Sequence, residues 1–348
     1  MAVREITYSQ AVNEAIRLEM QRDPAVIIMG EDIAGAAGRP QFVDAWGGPF
    51  RASRGLIQEF GPTRVLDTPI SEMGFTGAAV GAAMTGLRPI ADIMMVDFAG
   101  VCLDQIVNQA AKMRYMTGGQ TAMPLVIRAA IGTRSSPGQL RGGGSAAQHS
   151  QVLYSLFVHI PGLKCVAPST PYNAKGLTIA AIRDDDPVII FDHKFLMGVR
   201  GPVPEEDYTV PLGWSEVKKE GRDVTLIGIS RMVHVCMEAA HDLAGLGLDA
   251  EVIDLLSLAP LDEETILESV RKTKRLVIVD ESNPRCSVAR DIAALVADKG
   301  FDYLDAPIKT VTAPHTPVPF SAVLEDAYVP DAAKVVGAVK AMLGLEDE

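Results

Sequence analysis

Asp67-Thr68-Pro69-Ile70-Ser71-Glu72-Met73-Gly74-Phe75, continued by TGAAVGAAMTG to Gly86, sets one carboxylate, Glu72, at the head of a run of small and apolar residues. Side chains this small let something large lie close against the backbone. An acid in the first turn of a helix also meets free N–H groups and the positive end of the macrodipole, a stabilisation of about 0.3–1 kcal/mol. The residue types alone leave two readings open: a helix-end charge, or a carboxylate with a task in a close-fitting site.

On both sides of this stretch, short aliphatic runs alternate with helical ones. VIIMG from Val26, PIADIMMV from Pro89, PLVIRAAI from Pro124, LKCVAP from Leu163 and PVIIFDH from Pro187 have strand character, and VCLDQIVNQAAKMRYM from Val101 has helical character. Continuous apolar strands belong to a parallel sheet covered on both faces. Thr7 and Gln10 have capping-box spacing ahead of Val12, Ala15 and Ile16, and Ser169-Thr170-Pro171 reads as an N-cap followed by proline in the first turn.

The Pro- and acid-rich stretch from Gly198 to Pro211 has the composition of a linker, after which the alternation restarts. Strands DVTLIGIS, DAEVIDL, RLVIVDE and APIKTVTA interleave with helices beginning near Arg231, Leu261 and Arg285. The expected fold is two parallel-sheet α/β domains, residues 1–197 and 213–348, joined by a linker over 198–212. Gly245-Leu246-Gly247-Leu248-Asp249-Ala250 satisfies a dinucleotide-binding pattern, but it ends a helix and leads into a strand, so it reads as a helix-stop turn.

A chain of 348 residues exceeds the usual span of one hydrophobic core. The apolar stretch from Thr76 to Val96 is broken by Arg88, Pro89 and Asp92, which argues against a membrane span. The amino terminus lacks a basic region followed by an apolar core, so a cytoplasmic protein is expected. A net charge of −12 repels nucleic acid and anionic lipid. Cys102, Cys165, Cys236 and Cys286 lack CxxC spacing, which predicts reduced, buried thiols rather than disulfides or a structural zinc site.

DTPISEMGF, AVGAAMTGLRPI and Ala146-Ala147-Gln148-His149-Ser150-Gln151 together resemble the β subunit of thiamine-diphosphate-dependent 2-oxo acid dehydrogenase E1 components, over nearly the whole chain. Asp44-Ala45-Trp46-Gly47-Gly48, VDFAGVCLDQIVNQAAKMRYMTGG, VDESNPRC and VTAPHTPVPF are similar to the acetoin dehydrogenase branch of that family. The resemblance implies a transketolase-like pyrimidine-binding domain followed by a transketolase C-terminal domain. It implies that Glu72 hydrogen-bonds the aminopyrimidine ring and activates the cofactor, with Met94 and Phe98 packing that ring. It places His149 beside the thiazolium, in acid–base work and transfer to lipoyl groups. It also implies a monovalent cation, potassium, near Leu125, Ala181, Ile182, Asp184 and Asp186. Taken as residues alone, Asp184-Asp185-Asp186 before Pro187 reads as a solvated turn.

The family's GDG sequence for diphosphate and magnesium does not occur in this chain. The resemblance assigns that half of the site, and most of the Mg2+ ligation, to a separate α subunit. The expected assembly is an α2β2 heterotetramer serving the lipoyl acyltransferase core, E2. The expected activity is cleavage of acetoin with acetyl transfer to lipoamide, with pyruvate or branched-chain 2-oxo acids as the alternative substrates. A catalytically silent assembly subunit is the reading from another class. The stretch Gly132–Gln148, rich in Gly, Ser and Pro, reads as a functional loop, whose Arg134 and Arg141 are either solvated or within reach of an anionic substrate.

Overall fold

The computed structural model describes residues 3–34, 47–133 and 144–345. Contacts divide the chain into two compact units, Met1–Ile131 with Leu156–Leu212, and Gly132–Ser155 with Gly213–Glu348. The segment 132–155 thus groups with the carboxy-terminal part of the chain. Asp44, Ala45 and Trp46 lie outside the described residues, as do Arg134 and Arg141.

In the first unit the elements are β1 (Val3–Thr7), α1 (Tyr8–Arg22), β2 (Val26–Gly30), α2 (Leu56–Phe60), β3 (Val65–Asp67), α3 (Glu72–Met84), β4 (Arg88–Met95), α4 (Ala111–Met116) and β5 (Val126–Ile131). After the short helix α5 (Tyr154–Val158) come β6 (Lys164–Val166), α6 (Pro171–Arg183), β7 (Val188–His193) and β8 (Arg200–Pro204). The expected capping box is present: Thr7 Oγ1 accepts from Gln10 N–H at 3.2 Å and Gln10 Oε1 accepts from Thr7 N–H at 2.9 Å. Thr170 caps α6 ahead of Pro171.

β6, β7, β5, β4, β2 and β3 lie side by side in that order, all parallel. Every residue of β2, β5 and β7 is buried, as their largely apolar runs require of a sheet covered on both faces. From β2 the chain steps outward to β3, then returns past β2 to β4. The order thus reverses between β2 and β4, and it is outside the carboxyl ends of the strands at such a switch point that open α/β sheets bind ligands.

Two local expectations are corrected and one is refined. Residues 200–204, inside the expected linker, form β8 and pair antiparallel with β1. The stretch from Val101 to Met116 is helical as expected but changes pitch: the 3-10 turn over Val96–Cys102 leads through a π-helical stretch at Gln105–Ala110 into α4. The three aspartates before Pro187 do form a turn, but they are ion-paired: Asp184 and Asp186 with Lys164, Asp186 also with Arg114, and Asp185 with Arg88.

The second unit continues with β9 (Glu216–Lys219), β10 (Val224–Gly228), α7 (Met232–Gly245), β11 (Ala250–Asp254), β12 (Ser257–Ala259), α8 (Glu263–Thr273), β13 (Leu276–Asp280), α9 (Val288–Lys299), β14 (Lys309–Thr312), α10 (Ala322–Tyr328) and α11 (Ala332–Leu343). Its five-stranded sheet has the order β14-β13-β10-β11-β9, parallel except for β9. Leu226, Val252, Val277 and Val279 pack with Cys236, Leu243, Val335 and Val339 of α7 and α11 into one core. Gly247, at φ +78°, follows the end of α7, as the helix-stop reading of that pattern requires. All four cysteines are free, but Cys286 is exposed rather than buried, since it lies in the turn before α9 and outside the core. Among the described residues no helix is long and apolar enough to cross a membrane.

Candidate active site

At the switch point the approach of the two strands is close: a Cβ at Gly30 would lie 2.5 Å from the carbonyl oxygen of Asp92. Glu31 and Asp32 follow β2, and Glu72 opens α3 with only 9 % of its surface exposed. The Glu31 carboxyl is pushed up by burial, then by the charges of Asp32 and Glu72. The Cys102 thiol, in the turn after β4, is pushed up by burial, and the charge of Glu72 adds to this. Glu72 therefore acts electrostatically on groups that follow both strands of the switch point. Asp67, at the end of β3, is likewise pushed up by burial although its carboxylate accepts from Ala34 N–H at 2.6 Å.

Met94 and Phe98 come from the end of β4 and the turn that follows, and both are half-buried. β4 carries one extra residue opposite β5 between Asp92 and Met95, a bulge of the kind that re-aims a side chain. Met94 takes φ +63° there. For an L-residue that conformation costs roughly 1–2 kcal/mol, so something must hold it. Asp92 Oδ1 accepts from Met94 N–H at 3.0 Å. Its other oxygen accepts from Arg128 Nη1 at 3.0 Å, while Arg128 Nη2 donates to Asp192 at 2.5 Å and Tyr8 Oη donates to Asp192 at 2.7 Å. Burial alone would lower the Arg128 pKa, but Asp192 and Asp92 outweigh it and raise it. Sequence reasoning missed this network. Its signal was Asp92, Arg128 and Asp192 within three largely apolar strands.

A buried carboxylate, a thioether and an aromatic ring fit a flat, protonatable heteroaromatic ring. They do not fit a phosphate, which would need donors where this end of the sheet has Glu31, Asp32 and Glu72. The residues present thus suit the aminopyrimidine half of thiamine diphosphate.

His149 belongs to the second unit, so the two candidate catalytic groups sit on separate bodies. It is exposed and follows a turn in which its N–H meets the Ala146 carbonyl at 3.4 Å. The segment carrying it is tied at Gly144, whose N–H donates to Phe320 O at 2.9 Å, and at Gln151, whose carbonyl accepts from Gly132 N–H at 3.2 Å. Ala147 and Gln151 line a pocket of about 250 Å³ with Asn283, His315, Thr316 and Tyr328. Asn283 Nδ2 donates to Pro314 O at 2.7 Å and to Tyr328 Oη at 3.2 Å, and burial pushes the Tyr328 hydroxyl up to about 12.

The potassium candidates do gather around the turn from α6 to β7. Their donors are already engaged: Ile182 O and Asp184 O accept from Arg88 at 2.8 and 2.7 Å, the Asp184 carboxylate accepts from Lys164 at 2.7 and 2.8 Å, and Asp186 accepts from Arg114 at 2.6 Å. Leu125 O accepts from Val188 N–H, and Ala181 O from Asp184 N–H. Three aspartates meet three cationic side chains there, while each of these main-chain carbonyl oxygens keeps a second lone pair.

Two family models match the chain: the transketolase pyrimidine binding domain over residues 4–199 and the transketolase C-terminal domain over residues 213–335. The β subunit of acetoin:2,6-dichlorophenolindophenol oxidoreductase from Bacillus subtilis (strain 168) is 55% identical over 98% of this chain and 98% of its own length. Its namesake from Cupriavidus necator is 53% identical over 97% of both. The pyruvate dehydrogenase E1 component subunit β of Rhizobium meliloti (strain 1021) is 43% identical over 97% of this chain and 70% of its own. A solved inactive β4 tetramer of a split-gene transketolase superposes with TM-score 0.75 at 23% identity, covering 98% of this chain and 99% of that one, and so shares the fold.

Proposed function

The chain belongs to the transketolase-like family of β subunits of thiamine-diphosphate-dependent E1 components, and on that premise we propose that it is the β subunit of an acetoin-cleaving E1. In this reading it joins an α subunit in an α2β2 complex in the cytoplasm, cleaves the C–C bond of acetoin and passes the acetyl group to lipoamide of an E2 acyltransferase. The observation that carries it is Glu72, a buried carboxylate at the switch point of a sheet whose relatives are acetoin oxidoreductase β subunits.

Bound thiamine diphosphate would supply an acidic thiazolium carbon and an electron sink for the charge left by C–C cleavage. Glu72 would hold a proton at the aminopyrimidine nitrogen, the task for which a carboxyl in a nearly dry site is suited. Met94 and Phe98 would pack the ring and keep water from it. His149, exposed on its own segment, would move protons when the acyl group leaves. Diphosphate and magnesium would be held by the α subunit. Ile70 and Met73, beside Glu72, are 77% and 55% exposed, an apolar surface that supports a partner covering this site.

The test is steady-state kinetics of the reconstituted α/β complex with acetoin, pyruvate and branched-chain 2-oxo acids. Acetoin should have the highest kcat/KM. A markedly higher value for any 2-oxo acid overturns the substrate and leaves the thiamine chemistry standing, whereas turnover of none of them overturns the enzyme reading.

A further inference from the structure

Arg128 is buried in the middle of β5, at 3% exposure, with a carboxylate on either side: Asp92 on β4 and Asp192 on β7. Its Nε has no hydrogen-bond partner among the described residues. A buried cation with an unmet donor contributes little to stability compared with apolar residues of the same volume. Fastening something is a better account of it. The Asp92 oxygen that Arg128 does not hold accepts the N–H of Met94, the residue that takes the left-handed conformation at the β4 bulge. Asp192 in turn is fixed by Tyr8, which is fully buried at the start of α1.

Resting on the reading of Met94 as part of the cofactor's packing surface, we infer that Arg128 is a positioning residue: clamped by Asp192, it orients Asp92 so that Asp92 holds the Met94 backbone in the left-handed turn that presents the thioether to the aminopyrimidine ring. The chain of contacts runs Tyr8–Asp192–Arg128–Asp92–Met94, entirely within the first unit. Lysine at position 128 keeps the charge but lacks the planar fork that reaches two carboxylates at once. Asp92 would then be free to turn, and Met94 would lose its preorganised direction.

A double-mutant cycle separates this from a merely structural role. Thiamine diphosphate with magnesium is titrated by calorimetry into the α/β complex carrying Arg128→Lys, Met94→Ala, or both. Each single change should weaken binding by up to about tenfold, the size of one lost thioether–ring contact. The double variant should also be weaker by about tenfold, because a misdirected thioether and a missing one are the same loss. Effects that multiply to about a hundredfold overturn the inference, as does wild-type affinity in Arg128→Lys. Should Arg128→Lys fail to assemble, Asp92→Ala enters the same cycle with the same expectation. If the wild-type complex does not bind the cofactor at all, the whole reading of the site falls; wild-type binding with a multiplicative cycle removes only the positioning role.

Discussion

Glu72→Gln should separate activity from stability. The carboxylate heads α3, where its charge is worth about 0.3–1 kcal/mol against the helix dipole. Against that stands repulsion: Glu72 is one of the charges that push the Glu31 carboxyl up, so neutralising it returns energy of the opposite sign. Glutamine has the same shape and leaves no cavity. The net change should stay within about 1 kcal/mol, or a Tm shift of no more than about 4 °C for a unit of this size. Loss of the proton held at the ring nitrogen is a larger matter, about 10²-fold or more in rate, equivalent to about 2.7 kcal/mol. The assay is hydrogen–deuterium exchange at the thiazolium carbon in the reconstituted complex, run beside thermal melting of the same sample. Wild-type exchange in the variant would refute the role of Glu72. A Tm loss above about 10 °C would show that the residue serves the fold.

His149→Ala should slow transfer to a lipoylated acceptor by about tenfold or more while cofactor affinity stays within about twofold, as expected of an acid–base group on an exposed segment; full turnover with the acceptor refutes it. At Asp186, burial pushes the carboxyl up, but Lys164 and Arg114 outweigh it and hold it below 3.8. Its contribution to stability is therefore complete above the unfolded-state value and lost as pH falls through the depressed one, so Asp186→Asn should flatten the acid limb of stability below about pH 4. Urea midpoints measured across the acid range check this, and an unchanged slope in the variant refutes it.

The sheets were legible because their strands are mostly apolar runs, a pattern fixed by burial on both faces. The Thr7–Gln10 box and the Thr170-Pro171 start of α6 were legible for a local reason: a cap is a contact over three residues. β8 was not. Its partner is β1, almost two hundred residues earlier, and composition over 198–212 carries no trace of that pairing. The site divides the same way. Glu72 stands out because a lone acid heads a small-residue run. Arg128, Asp92 and Asp192 become a network only once the register sets Arg128 against Asp92 and brings β7 alongside, and Met94 becomes notable only through its backbone angle. Met94 and Phe98 drew attention through family resemblance alone, since an apolar side chain in an apolar run carries no signal of its own.

Under the proposed function, charge at the end of the first sheet would favour one end of thiamine diphosphate over the other. Glu31 is raised by burial and then by Asp32 and Glu72, and Asp67 by burial and then by Asp32, so four acids at two connections, after β2 and between β3 and α3, act on one another at the carboxyl ends of β2 and β3. A further negative charge about 8 Å from one of these would cost on the order of 2 kcal/mol at an effective dielectric constant near 20. A diphosphate brought here would meet several such terms. A cationic thiazolium with its protonatable ring would meet the same terms with the opposite sign. Under the proposed function the electrostatics would therefore orient the cofactor before any specific contact forms, ring toward this chain and diphosphate away from it. The absence of GDG from the sequence agrees with this acidity: under the proposed function the donors for an anion would belong to a second chain, for which the exposed Ile70 and Met73 would offer an apolar surface beside Glu72.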